Sequence, residues 1–333
     1  MRWLKRLVWR DLGLAVLRYE LMTLKTAKKY QHVGGGVTPC ILASNNDICT
    51  CGGLCDRLHG MLSVYKLCKE EQLDFKIWHT TPFHLEEFLI PQKYNWIIDD
   101  TSVVKDLHHV MILKSTMPNI LKTGMSWPQA RRFHAKYLKN KFIQAKRRHK
   151  LQVHVYTNAH IIERDEFHVL FNELFQPTKE LREIVEWNKK QLGEHYVSAS
   201  LRFRNMLGDF KDGDSEPLDK TEQAYYLRRC FDEIEKIHEV HKDKKILVTS
   251  DSSTFIEAIK VKEYVYTIPG QIGHIDYSGG EDRNVHLKTF VDLLTLAGAD
   301  TLYQIFFGKM YGGGFSATAA YIGGKPFIYA PKR

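Results

Sequence analysis

No run of about 20 consecutive apolar residues occurs in this 333-residue chain, so no segment is expected to cross a membrane as a helix. Cysteine is scarce: six in the whole chain are too few for a disulfide scaffold. Cys49, Cys51 and Cys55 have no second Cys/His pair after them at ligand spacing, which argues against a zinc site. No Gly-Lys-Ser/Thr run and no dinucleotide-binding glycine fingerprint appears, which sets aside the two best-known phosphate loops. Repeats and low-complexity tracts are also missing. A 44% share of hydrophobic and 26% of charged residues is ordinary for a globular chain and excludes disorder, collagen and fibre. The length suits two domains of ~150 residues.

What the chain does have is positive charge in two places. The formal net charge is +9, with 48 Lys and Arg against 39 acids. Residues 1–30 hold eight of those bases against Asp11 and Glu20. Residues 131–150 hold nine bases and no acid. The rest of the chain is net negative, so the excess belongs to two patches. The first patch interleaves its bases with Trp3, Leu4, Leu7, Val8, Trp9, Leu14, Leu17 and Leu21. That pattern suits a helix lying on an anionic membrane surface, and equally a helix packed on its own domain. It is not a secretory signal, because Arg10, Asp11 and Arg18 break the apolar run and no small-residue cleavage site follows. The second patch lacks a nucleic-acid reader motif and has few stacking aromatics, so nucleic acid is not the expected partner. A solvated basic helix, or a surface for a phosphorylated or lipid-linked substrate, fits it better.

From residue 40 onward, short apolar runs alternate with helical periods. Strands are expected at 40–44, 75–79, 152–157, 197–203, 245–250, 263–268, 301–307 and 325–330. Helices are expected after residue 54 and over 166–175, 178–192, 220–241, 254–260, 285–297 and 316–322. Alternation of this kind implies parallel sheets built from βαβ units. The expected division is a basic amphipathic segment over 1–35, a first domain over 36–195 and a second over 196–333.

Five stretches could carry chemistry. CGGLCDRLHG at 51–60 puts Gly52, Gly53, Leu54 and Cys55 where a strand turns into a helix, a place where backbone amides can face a pyrophosphate. SLRFRNMLGDFKDGD at 200–214 ends a strand on Ser200, Arg202 and Arg204 and continues into Asp209, Asp212 and Asp214. A guanidinium at a strand end can grip phosphate in a fixed fork, and a carboxylate shortly after it can serve as a base. VTSDSS at 248–253 places Asp251 at another strand end, where helix capping is the plainer explanation. YGGGFSATAA at 311–320 opens a helix with three glycines, Phe315, Ser316 and Ala317. Asp292 is a lone carboxylate in the apolar helical run FVDLLTLAGAD, where a solvent-facing position is the default.

In order and spacing these five resemble the GDP-fucose-dependent fucosyltransferases of GT-B architecture. The likeness is to the α-1,6-type and protein O-fucosyltransferase superfamily with its bacterial polysaccharide relatives, and it covers about residues 40–330. The resemblance implies an α/β fold of two Rossmann-like domains with parallel sheets and a donor cleft between them. It implies that Arg202 binds the β-phosphate of GDP, that Asp292 pairs with the guanine edge and that Ser316 with its neighbouring amides makes a second phosphate contact. Gly53 and Cys55 would be backbone donors of the first loop, and Asp251 an acid needed for activity. Asp209 is the nearest match to the family's base, with Asp212 and Asp214 also within reach. Two departures stand out: Ser200 replaces a common His, and Phe203 replaces a second Arg, a charge that Arg204 could supply.

The activity so implied is inverting transfer of L-fucose from GDP-fucose to a glycan or lipid-linked oligosaccharide acceptor, in bacterial surface polysaccharide synthesis. Arg202 and the helix opening at Ser316 would neutralise the departing pyrophosphate, so no metal and no cofactor is expected. The expected location is the cytoplasm, peripheral on the inner face of the plasma membrane. Two other readings stay open: a transferase for another nucleotide sugar on the same scaffold, and an inactive protein that binds membrane or nucleic acid through its basic patches.

Overall fold

In the computed structural model the described residues are 2–30, 38–117, 124–210, 216–273 and 283–331, with backbone alone described for 2–12. They form two compact units, Met1–Leu85 with Pro91–Phe175, and Glu86–Ile90 with Gln176–Arg333.

The first unit is built on α1 (Arg2–Ala27), β1 (Cys40–Asn45), α2 (Leu54–Glu71), β2 (Phe75–His79), β3 (Val110–Ser115), α3 (Trp127–Arg147), β4 (Gln152–Thr157) and α4 (Arg164–Leu174). Its sheet has the order β2-β1-β4-β3, with every pairing parallel. Both central strands, CILASN and QVHVYT, are buried along their whole length. A parallel strand covered on both faces needs no polar alternate, which is why these segments read as short runs. The strand β3 was not expected from sequence. It is an edge strand, and α1 covers it: the Lys114 amide donates to Thr23 Oγ1 at 3.0 Å and Tyr19 Oη donates to the Thr116 carbonyl at 3.1 Å. An edge whose donors are used this way is closed to pairing with another chain.

The second unit contains α5 (Lys179–Leu192), β5 (Tyr196–Leu201), α6 (Lys220–Val240), β6 (Lys245–Ser250), α7 (Ser253–Ile259), β7 (Val265–Tyr266), α8 (Arg283–Ala297), β8 (Thr301–Ile305), α9 (Phe315–Gly323) and β9 (Phe327–Ala330). Its parallel sheet has the order β9-β8-β5-β6-β7. Counting from β5, that is the doubly wound order, whose direction of winding reverses between the first and fourth strands. Val197, Ala199 and Leu201 of β5, Ile246 and Val248 of β6, Cys230 and Ile234 of α6, Phe255 and Ile305 pack into one buried core.

The α/β class and the parallel sheets agree with expectation. The division falls between Phe175 and Gln176, ahead of the expected position near 195. The helix α5 accounts for the difference, because it packs on α8, where Glu180 binds the Arg283 guanidinium, and is tied to β7, where the Tyr266 hydroxyl donates to Asn188 Oδ1 at 2.7 Å. The run expected as a strand over 263–268 shrinks to Val265–Tyr266.

One glycine sets how closely helix and sheet approach. A Cβ on Gly60, inside α2, would collide with the carbonyl oxygen of Thr157 at the end of β4. Alanine gains about 1 kcal/mol of helix propensity over glycine, but pushing a helix off a packed sheet costs about 1–3 kcal/mol. Gly60→Ala is therefore expected to lower stability by up to about 2 kcal/mol in urea denaturation. Gly13→Ala, at an exposed helical position where a Cβ meets nothing within 4 Å, should instead gain stability, by up to about 1 kcal/mol. Equal behaviour of the two variants would contradict the close approach.

Candidate active site

In a doubly wound sheet, the strands on either side of the winding reversal send their following loops to opposite faces, which leaves a crevice at their carboxyl ends. In the second unit those strands are β5 and β8. The first leads into Arg202, Phe203 and Arg204, and the second into the glycine run 312–314 and α9. The two loops touch. The Tyr311 amide donates to the Arg202 carbonyl at 3.1 Å, and a Cβ on Gly313 would lie 3.3 Å from Arg202 Cδ. Buried Gln304 on β8 donates to the Gly313 carbonyl at 2.7 Å and holds the loop from below. The Tyr311 ring lies 5.2 Å from the Arg202 guanidinium and 5.4 Å from that of Arg204, a cation–π arrangement that keeps both cations at the crevice.

Asp251, at the end of β6, fixes the backbone of this turn. Its carboxylate accepts from the amides of Phe203 and Arg204, both at 2.8 Å, and Arg204 adopts a left-handed φ of 55°. Its Oδ2 also lies 3.8 Å from Arg202 Nε. Burial pushes the Asp251 carboxyl up to about 6, against the two amides and the Arg202 charge. Across the crevice, α9 begins at Gly314 with no side-chain cap and no acid in its first turn. Its free amides therefore carry a partial positive charge. Ser316, in that turn, is buried, and its Oγ has no hydrogen-bond partner among the described residues. Phe315 and Ala317 flank it, half-exposed. Arg202, Arg204, Asp251 and the glycine turn into α9 thus form one constellation.

The other expected residues fare differently. Ser200 Oγ pairs with Thr249 Oγ1 at 2.7 Å on the neighbouring strand, so it ties the sheet together. Asp209 directs Oδ2 at Ser252 Oγ (2.8 Å), Ser253 Oγ (3.1 Å) and the Thr254 amide (2.7 Å). Burial works against its charge, yet the Thr254 amide and the three hydroxyl groups outweigh burial and hold the carboxyl below its ordinary range. A carboxylate so stabilised is a weak base, and its place at the start of α7 is that of a helix cap. Asp212 and Asp214 lie outside the described residues. Asp292 is not solvent-facing. It is mostly buried on α8, with Lys288 Nζ on both of its oxygens at 2.6 and 2.5 Å. Burial pushes its carboxyl up, and Lys288 opposes that. The helix α8 packs on α9.

In the first unit, Gly52, with φ 73°, and Gly53 do turn β1 into α2. Asp56 stands in the first turn, however, and its carboxylate folds over Gly52 and contacts His160 Nε2 at 3.3 Å. The amino end of α2 therefore already carries a negative group. Leu54 is core, and Cys55 is half-exposed. Nearby, Lys114 Nζ lies 2.6 Å from Cys49 Sγ. A hydrogen bond from Cys51 draws that thiol down to about 6, against burial and with help from Lys114.

Sequence reasoning did not single out Tyr311, Gln304 or Lys288. Tyr311 stood in the quoted glycine motif, and Lys288 precedes Asp292 by four residues, the spacing of facing helix side chains.

No family model and no curated protein matches this sequence. Solved structures do match in fold. The α-1,6-fucosyltransferase NodZ soaked with GDP-fucose has a TM-score of 0.52 at 12% identity, over 86% of this chain and 92% of that one. NodZ from Bradyrhizobium, in a selenomethionine crystal, has 0.51 at 13% identity, over 85% and 91%. A mutant of Arabidopsis thaliana FUT1 in complex with GDP has 0.53 at 14% identity, over 93% and 74%. At such identities the likeness is one of fold, and it lies with fucosyltransferases, where the sequence motifs pointed.

The position of Asp251 makes a prediction about pH. Its folded carboxyl titrates near 6, above the ordinary value of 3.8, so the native state holds its proton where the unfolded chain has lost it. Stability from this group is then present at low pH and falls as pH rises from about 4 to about 6. The fall should be on the order of 3 kcal/mol at most. The difference in unfolding free energy between wild type and Asp251→Asn, followed over that window, should show this slope. A difference independent of pH would contradict the buried, raised carboxyl.

Proposed function

We propose that this protein is an inverting glycosyltransferase that moves L-fucose from GDP-fucose to a glycan or lipid-linked oligosaccharide acceptor in bacterial surface polysaccharide synthesis. The observation that carries this is the junction of Arg202 with the uncapped amino end of α9. Sugar transfer from a nucleoside diphosphate sugar breaks the bond between the anomeric carbon and the β-phosphate oxygen. Negative charge grows on the pyrophosphate as that bond opens, while the sugar gains oxocarbenium character. A fixed guanidinium and a set of free helix amides meet that charge without reorganising. Arg202 supplies two parallel donors, which an ammonium could not match. Ser316 Oγ, buried in the same turn, is free to donate to a phosphate oxygen.

Asp251 acts on this site by position. By holding the amides of Phe203 and Arg204, it fixes where the two arginines leave the sheet. Arg204 supplies the second cation that a neighbouring Arg would otherwise provide. Asp209 is not carried forward as the base, since its proton affinity is low and its oxygen is engaged. In this account an acceptor hydroxyl attacks the β-linked donor from the opposite face, releases its proton to solvent and gives an α-linked product. The charge on the leaving group is met by protein cations, so neither a metal nor a cofactor has a part in the mechanism proposed. The cytoplasm, where nucleotide sugars serve as donors for surface polymers, is the proposed location.

Guanine selectivity is assigned to Asp292. Its carboxylate can accept from guanine N1–H and the 2-amino group together, a pair of donors that uracil and adenine lack. Lys288 Nζ, on both of its oxygens, orients the acid and opposes the effect of burial. In a thermal-shift panel run in EDTA, GDP and GDP-fucose should raise the melting temperature clearly more than UDP or ADP. Asp292→Asn should erase that preference, because the amide sets an NH2 donor where the carboxylate has its second acceptor oxygen. Equal shifts with UDP and GDP in the wild type would point to another nucleotide sugar and remove the fucose assignment.

A further inference from the structure

The helix α1 has two apolar faces, and the first unit uses one of them. Ala15 and Tyr19 are fully buried and Thr26 nearly so, on the face that covers β3. On the other side Leu14, Leu17, Leu21 and Leu24 stand 43–59% exposed. Their spacing of three, four and three residues makes one continuous stripe. Exposed Arg18, Lys25 and Lys28 border it. Glu20 is the one acid between residues 12 and 30, and it is turned away and bound by Lys141 Nζ at 2.7 Å and Tyr137 Oη at 3.2 Å. Beside α1 a groove runs to α3, lined by Thr23, Ala27, Lys141, Gln144, Arg148 and Lys150. Lys146, Arg147 and Arg148 at the end of α3 are all exposed.

We infer that the leucine stripe of α1, with the cations beside it and at the end of α3, is a docking surface for an anionic lipid bilayer. Leucines flanked by cations suit the boundary between headgroups and acyl chains, where each side chain meets its preferred medium. The charges select the occupant. A second copy of this chain, laid stripe to stripe, would bring Arg18, Lys25 and Lys28 of both copies together, with Glu20 already engaged. A surface of lipid phosphates relieves the same charges. No helix among the described residues is long and apolar enough to cross a membrane, so the protein lies on the surface. The packed face of α1 makes this a fixed face of the first unit, and removing the helix would uncover β3. The inference stands apart from the transferase reading, and a protein that binds vesicles but ignores GDP would sink only the latter.

The test therefore uses substitutions in the full-length chain. Vesicles of phosphatidylcholine alone, or with about a third phosphatidylglycerol, are sedimented with the protein at about 0.05 and 0.5 M salt. Wild type should pellet with the anionic vesicles at low salt and bind at least about tenfold more weakly at high salt or without the anionic lipid. Leu17→Gln with Leu21→Gln should lose binding at least about tenfold, as should Arg18→Glu with Lys25→Glu, with melting temperature and GDP response unchanged. Wild type remaining in the supernatant, equal binding to neutral vesicles, or variants that bind as wild type would each overturn the inference. So would a wild-type dimer that the glutamine pair disperses, since the stripe would then be a contact between copies.

Discussion

The contact between Arg202 and the glycine turn before α9 depends on strand order. Only because β8 lies next to β5, with β6 on the other side, do the loops after those strands meet at their carboxyl ends. The loops then lock one another. Tyr311 donates to the Arg202 backbone, and its ring faces two guanidiniums. Gln304 ties Gly313 down, and Asp251 ties down Phe203 and Arg204. Two arginines kept this close repel each other and must be held by something. Here an aromatic face and a buried carboxylate lie against them.

The same logic separates the roles of the acids. Asp251 and Asp292 are buried carboxyls whose proton affinity is raised by their surroundings, and each keeps a cation beside it. Asp209 is surrounded by donors and is lowered. A raised, buried acid next to a cation can respond to a ligand, since its balance changes when an anion or a hydrogen-bond donor arrives. An acid satisfied by a helix end has little left to offer. Sequence alone shows three aspartates near strand ends or in an apolar helix, and only their surroundings tell them apart.

Much of the second unit was legible. Its strands and helices alternate with clear loops, and the motifs at 200, 248 and 311 fall at strand ends because parallel βαβ units place loops there. Less of the first unit could be read. The strand Val110–Ser115 is hidden in VMILKS, which has no alternation because both its faces are partly covered. The glycine turn at 52–53 is real, yet the Asp56 side chain that folds back over it could not be foreseen from spacing. The helix α5 looked like the end of the first domain, because Gly193 stops it. Its partners, Tyr266 and Arg283, are far along the chain, and pairings of that range leave no local trace. The exposed leucines of α1 were visible as a pattern, but which face would be buried was decided by β3, the strand the sequence concealed.

The central claim is that Arg202 grips the phosphate that leaves. Calorimetric titration of GDP and of GMP into wild type and Arg202→Ala tests it most directly, because the two nucleotides differ only in the terminal phosphate. The account predicts that wild type prefers GDP by at least about tenfold, since a charged pair of this kind is worth ~2–5 kcal/mol when truncated. It predicts that the alanine variant loses most of that preference while its affinity for GMP changes little. An unchanged ratio of GDP to GMP affinity in the variant would show that Arg202 does not hold the β-phosphate and would contradict the account.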